Sequence, residues 1–462
     1  MLCADFQDMR ILIDLQACQS GGSRFRGIGR YSLSLIKAML DEGPEHEYIL
    51  FANANLYDLR SVFSAYCSDS NRRVHYCQWY APSPSSARWP ENHHRRHIAV
   101  AIREYAIRRC SPDWVLITSL FEGYGDDCVH SVDRAAGACP TAVIHYDLIP
   151  LIQADTYLKP QPGYASFYYS LLEELKQASL LLAISNYAAQ EASESLGLAQ
   201  ERLRVISSAC DTKLFSPEES DACLSPLLQE LPKSGFILYS GAGDPRKNLK
   251  RLVQAFAKLS DQTQSFHPLL LVGKLCDEEV SDIHRLVASL RLNPKHVILA
   301  GYVDDLVLAT LYRRASVFVL PSLHEGFGLP ALEAMSCGGI VIGSNCTSIP
   351  EVIGDEEALF DPYDVDSIAS VLMRALTDSD FQSRLRNNAP RRAALFSWSA
   401  TAREALKALE DCRLHDFPTN LTSASDWSQI TQEREQDYRA LCCQVLQLSR
   451  SKRTFFGNAH YR

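Results

Sequence analysis

The stretch His324-Glu-Gly-Phe-Gly-Leu-Pro-Ala-Leu-Glu333 sets two carboxylates either side of a glycine turn that opens a helix. Ahead of it, Ala315-Ser-Val-Phe-Val-Leu-Pro-Ser322 is a short apolar run of β-branched and aromatic residues, the pattern of a strand buried in a parallel sheet. Gly326 and Gly328 allow a tight turn, and Pro330 suits a first helical position. The amides of Phe327, Gly328 and Leu329 then project unpaired from the helix N-terminus, where the dipole favours an anion such as a diphosphate. Glu325 faces the ligand before the turn and accepts hydrogen bonds from sugar hydroxyls. Glu333, about one helical turn in, suits the paired hydroxyls of a ribose. Strand, glycines and proline together outweigh the bland alternative, a capped helix with two solvated glutamates.

Glu325, seven intervening residues and Glu333, with Gly-Phe-Gly-Leu-Pro between, resemble the signature of the retaining, family-4 type glycosyltransferases. The resemblance implies the GT-B fold class: α/β, with two Rossmann-like parallel-sheet domains facing across a cleft. Ile237-Leu-Tyr-Ser-Gly241-Ala-Gly-Asp-Pro-Arg246-Lys247 resembles that family's strand and basic loop at the start of the second domain, where an Arg and a Lys contact the donor diphosphate. The residues agree on physical grounds: a guanidinium fork and an ammonium point charge beside a glycine turn neutralise a leaving diphosphate. The competing view is an exposed basic pair opening an amphipathic helix from Leu249 to Leu259. Leu269-Leu-Leu-Val-Gly-Lys274 and Val297-Ile-Leu-Ala-Gly-Tyr-Val303 read as the next strands. In the family, the first ends near the phosphates and the second lies beside the nucleobase.

In the N-terminal half, Arg10-Ile-Leu-Ile-Asp-Leu15 is a strand, followed by the glycine loop from Gly21 to Gly29 and an apolar-periodic helix from Leu33 to Leu40. A dinucleotide-binding fold is the rival reading. Its third glycine falls at Ser32, however, and the strand Tyr48-Ile-Leu-Phe-Ala is followed by Asn53 rather than an acid. The loop resembles the acceptor-side loop of the transferases, where Gly27 and Gly29 let the backbone approach donor phosphates or acceptor from the opposite wall. Thr141-Ala-Val-Ile-His145-Tyr-Asp147 ends in a polar tip of the kind at which open α/β sheets bind ligands. His145 and Asp147 resemble the family's tip near the transferred sugar, with a buried structural histidine as the alternative for His145. The segment with Glu122 resembles mannosyl- and rhamnosyl-transferring members of bacterial surface polysaccharide synthesis.

A length of 462 residues suggests two domains. The boundaries read as 1–216 for the acceptor side, 217–233 for a Pro- and Ser-rich acidic linker, 234–400 for the donor side, and 401–462 for a helical tail crossing back. Trp427, Ile430, Tyr438, Leu441 and Val445 give that tail an apolar face. A net charge of -9 argues against a nucleic-acid partner, although the run from Arg88 to Arg109 carries six arginines that suit an anionic membrane surface or a solvated helix face. Without a spanning run or a signal-peptide pattern at Met1-Leu-Cys-Ala-Asp, the expected place is the cytoplasm, with peripheral contact at the inner membrane. Fifteen scattered cysteines, Cys18, Cys337 and Cys346 among them, read as small core residues in a reducing compartment, so the sequons at Asn345 and Asn420 carry no weight.

The resemblance implies a retaining transferase that moves a hexose, mannose or rhamnose favoured, from a nucleotide diphosphate sugar to a glycan or lipid-linked glycan. A GDP-sugar is the favoured donor, with UDP-glucose open. No cofactor or metal is expected: helix amides and cations take the metal's place, and Asp364-Val-Asp366 reads as a helix start with Asp366 as N-cap. The alternative from another class is a catalytically silent, nucleotide-sugar-binding subunit.

Overall fold

The computed structural model describes residues 8–132, 139–218 and 226–415. The chain start, the sequon at Asn420 and the tail residues from Trp427 to Val445 lie outside the described residues.

Most strands of the two sheets are short and apolar, as burial on both faces requires; the edge strand Arg73–Trp79, with Arg73 and His75 exposed, is the exception. The first holds β1 (Arg10–Asp14), β2 (Glu47–Asn53), β3 (Arg73–Trp79), β4 (Trp114–Ile117), β5 (Thr141–His145), β6 (Leu180–Ala183) and β7 (Leu203–Val205), in the order β3-β2-β1-β4-β5-β6-β7. The second holds β8 (Ile237–Ser240), β9 (Leu269–Val272), β10 (Val297–Gly301), β11 (Val317–Leu320), β12 (Val341–Ser344) and β13 (Leu359–Phe360), in the order β10-β9-β8-β11-β12-β13. Among the described residues every pairing is parallel.

This order places the site. Strand order reverses between β1 and β4 and between β8 and β11, and loops leaving the carboxyl ends at such a switch point diverge to leave a crevice. Because β8 pairs β11 with Phe318 opposite Leu238, the basic loop after β8 and the Glu325 loop after β11 rise side by side. In the first sheet the glycine loop after β1 stands next to the Glu122 loop after β4.

Helix Gly27–Glu42 begins inside the glycine loop, six residues before the point at which apolar periodicity becomes visible. Helix Trp398–His415 packs on it, with Arg403 Nη1 2.6 Å from Glu42 and the Tyr31 and Trp398 rings 5.1 Å apart edge to face. The C-terminal helix therefore joins the second domain to the first.

Two sequence expectations give way. Arg103 is fully buried, donating to Asp14 Oδ2 at 2.7 and 3.1 Å, and Arg96 donates to the carbonyls of Ser85, Gly123 and Cys128. A run of arginines on a helix is read as a surface face from charge alone, but these two turn inward to satisfy backbone and carboxylate groups. The N-cap near 365 is Asp364, whose side chain accepts from the Asp366 amide, while Asp366 pairs with Lys258 at 2.5 Å.

Candidate active site

Arg246 and Lys247 form a short 3-10 turn, Pro245–Lys247, whose start is capped by Asp244. Asn248 holds its far end in a left-handed conformation and donates to the carbonyls of Pro321 and Pro362. The turn is thus bolted to the loop after β11, and both cations reach Glu325. Lys247 Nζ lies 2.5 Å from Oε1 and Arg246 Nη1 3.1 Å from Oε2. Ser322 adds a donor at 2.7 Å, and Arg246 also donates to the His324 carbonyl at 2.9 Å.

Glu325 is 7% exposed. Burial alone would raise its carboxyl, but Lys247 and Arg246, with hydrogen bonds from Lys247 and Ser322, outweigh that and hold it down to about 2. Glu333, equally buried, has no such pair. Burial pushes its carboxyl up to about 7, against Arg30 and the Tyr312 hydroxyl, which donates at 3.1 Å. The two glutamates of the motif are therefore in opposite states: one an anchored anion, the other poised between acid and anion.

Helix Leu329–Ser336 starts at Gly328, whose φ of 102° lies in the left-handed region that favours glycine. Pro330 is its second residue. Among the described residues the amides of Phe327, Gly328 and Leu329 have no hydrogen-bond partner, so the helix start offers donors to a ligand beside the two cations.

The facing wall comes from the first domain. A Cβ on Gly326 would meet the Tyr146 carbonyl at 2.4 Å and Asp147 Oδ2 at 3.3 Å, so the tip after β5 closes directly on this turn. Asp147 is half-buried at the junction; burial raises its carboxyl against the Ile149 amide and Arg246. His145, by contrast, is 1% exposed at the end of β5, and burial lowers it to about 4, keeping it neutral. Of the two tip residues, Asp147 reaches the cleft and His145 packs beneath it.

Gly27, first residue of its helix, is exposed and a Cβ there would meet open space. Gly29 serves its own loop: a Cβ would strike Ser23 O and Arg24 Cα at 2.5 Å. Gly241 and Lys274 lie on the loops after β8 and β9, with Lys274 exposed, and Val303 follows β10.

Sequence reasoning missed the clasp that holds the walls together. Helix Asn186–Leu196 is capped by Ser185, which also donates to the Gly326 carbonyl at 2.7 Å. Glu351 of the second domain accepts from the Asn186 and Tyr187 amides at 2.9 and 2.6 Å. Glu191 Oε1 lies 2.9 Å from His324 Nε2 without forming an aligned hydrogen bond, and Glu191 accepts from the Leu148 amide at 2.6 Å. A serine after an apolar strand signals the cap; nothing local signals its second partner 141 residues away.

A family model for the glycosyl transferases group 1 matches residues 228–392. The O-antigen chain mannosyltransferase B of Escherichia coli is 31% identical over 83% of this chain and 95% of its own. The chain belongs to the group 1 glycosyl transferases. A serotype-specific mannosyltransferase WbdA of Escherichia coli is 37% identical over 86% of this chain and 48% of its own, so the chain spans about half the length of that relative. Among solved structures, Anabaena HepE in complex with UDP and glucose superposes with a TM-score of 0.61 at 16% identity, covering 87% of this chain and 100% of that one. WaaG, a glycosyltransferase involved in lipopolysaccharide biosynthesis, gives 0.57 at 14%, covering 88% and 100%. At those identities the likeness is one of fold: the two-domain GT-B arrangement of this family member.

Proposed function

We propose that this protein is a retaining hexosyltransferase that moves mannose from a GDP-linked donor to a glycan or lipid-linked glycan of a bacterial surface polysaccharide. One observation carries the reading: Arg246 and Lys247 converge on Glu325 beside the open amides of Phe327 to Leu329, with Asp147 across the cleft. Breaking the anomeric bond builds charge on the diphosphate. Two cations and a helix start stabilise that charge more in the transition state than before it, without a metal ion.

Glu325 is engaged at both oxygens, which suits an anchor for the cations and the donor rather than a free nucleophile. A front-face route follows, with the leaving phosphate taking the acceptor proton and Asp147 beside the sugar. Glu333 takes the ribose hydroxyls. The mannosyl-transferring relatives favour mannose over rhamnose. No described helix is long and apolar enough to cross a membrane. In this reading a lipid-linked acceptor brings the protein to the cytoplasmic membrane surface. Incubating GDP-mannose with a mannose-terminated acceptor, and assigning the new linkage by NMR, tests it. An α-linked product supports retention; donor binding without transfer supports the silent-subunit alternative.

A further inference from the structure

The carboxyl edge of the first sheet carries a row of exposed aromatic rings that the reaction centre does not use. Phe25, Tyr57 and Tyr80 are 78%, 52% and 70% exposed, on the loops after β1, β2 and β3. Strand order makes the row: Tyr80, Tyr57, Phe25, then Glu122 and Asp126 after β4, then Asp147 after β5 against Gly326. Four strand spacings separate its ends, roughly 20 Å.

The loops form one continuous rim. Asn55 Nδ2 donates to the Ala81 carbonyl at 3.0 Å, Gln19 Nε2 to the Tyr57 carbonyl at 2.8 Å, and Ser20 Oγ to Asp126 at 2.5 Å. The Arg24 guanidinium lies 4.4 Å from both the Phe25 and Tyr57 ring centres, fixing the two relative to each other. Exposed rings on three adjacent loops, two of them joined through one guanidinium, mark a contact surface.

Charge selects the occupant. Arg60 is held by Asp58 at 2.5 Å and Arg24 by the two rings, while Glu122 and Asp126 lie on the path to the centre. Such a rim presents ring faces and carboxylates together, which suits hydroxyl-rich, uncharged rings that stack on aromatic side chains and donate to carboxylates.

We infer that this rim is a track for the already-built part of an acceptor glycan, several neutral sugar units long, leading from Asp147 outward over Phe25, Tyr57 and Tyr80. The inference rests on the transferase reading and adds that the protein senses acceptor length.

The test uses fluorescent α-mannosides of one, two and four units with GDP-mannose, read by transfer kinetics and by anisotropy. For the unmodified protein, KM falls about tenfold from one unit to four. Phe25→Ala, Tyr57→Ala and Tyr80→Ala, all at exposed positions, each raise the four-unit KM and weaken four-unit binding, leaving kcat and the one-unit KM unchanged. Transfer to the one-unit acceptor with no length dependence overturns the track and leaves the transferase reading standing. Neither transfer nor binding of any mannoside overturns both. Variants that keep the four-unit KM but no longer sediment with phosphatidylglycerol vesicles overturn the track in favour of a lipid surface.

Discussion

Lys247 and Glu325 form a 2.5 Å ion pair in which neither side chain is more than 11% exposed, inside the cleft that the proposed donor enters. A pair so placed ties stability to function. Removing one partner strands a buried charge, and the pair holds the second cation, Arg246, in position.

The first consequence is acid sensitivity. A folded-state value of about 2 against an unfolded value of 4.5 means that Glu325 adds stability above pH 4.5, and that this is lost as pH falls through 2. The term is about 3 kcal/mol. Glu325→Gln should lower Tm at pH 7 and flatten the acid limb of stability between pH 4.5 and 2, as measured by denaturant titration.

Glu333 has the opposite sign. Its folded value of about 7 lies above the unfolded 4.5, so the fold binds the extra proton and stability falls as pH rises from 4.5 through 7. Glu333→Gln should raise Tm at pH 8, change it little at pH 4.5, and still weaken donor binding, because in the proposed site Glu333 is the carboxylate that takes the ribose hydroxyls. Calorimetric scans at the two pH values check the first part.

Gly326→Ala should shift the two walls of the cleft apart without unfolding either domain. Its Cβ would sit 2.4 Å from the Tyr146 carbonyl, backbone that cannot give way without opening the cleft. Misplacing the Asp147 wall by about 1 Å predicts a loss of about a hundredfold in kcat, with donor affinity nearly kept. Steady-state kinetics beside calorimetric donor titration of the variant check the split.

The Asp14–Arg103 pair predicts non-additivity. Both are fully buried. Arg103→Met alone leaves the buried Asp14 carboxylate with the Gln16 donors but without its guanidinium, and should cost about 3 to 5 kcal/mol, whereas Asp14→Asn with Arg103→Met should recover much of it. Urea denaturation of the four proteins closes the cycle.

How far the sequence reaches follows from what is local. Strand β11, the turn at Gly328 and the start of the next helix lie within twenty residues, and their chemistry is written in order. The meeting of Arg246, Lys247 and Glu325 is long-range. It was legible only through a motif resemblance, and its physical cause, the pairing of β8 with β11, appears in the topology. The apolar period marks a helix from Leu33 because Gly27 and Gly29 contribute no side chain to that pattern, so its first turn was hidden. The Ser185, Glu191 and Glu351 clasp joins residues more than 130 positions apart, each with an ordinary local role, and no single segment betrays it. The same holds for Arg96 and Arg103, whose inward partners lie on other elements.

The most direct measurement of the central claim is calorimetric binding of GDP-mannose, GDP-rhamnose, UDP-glucose and ADP-glucose to the unmodified protein, Arg246→Ala and Glu333→Ala. The account predicts selective binding of GDP-mannose, weakened about a hundredfold or more in Arg246→Ala by loss of the charged fork. Failure of the folded protein to bind any of the four, or binding that Arg246→Ala leaves untouched, would contradict it.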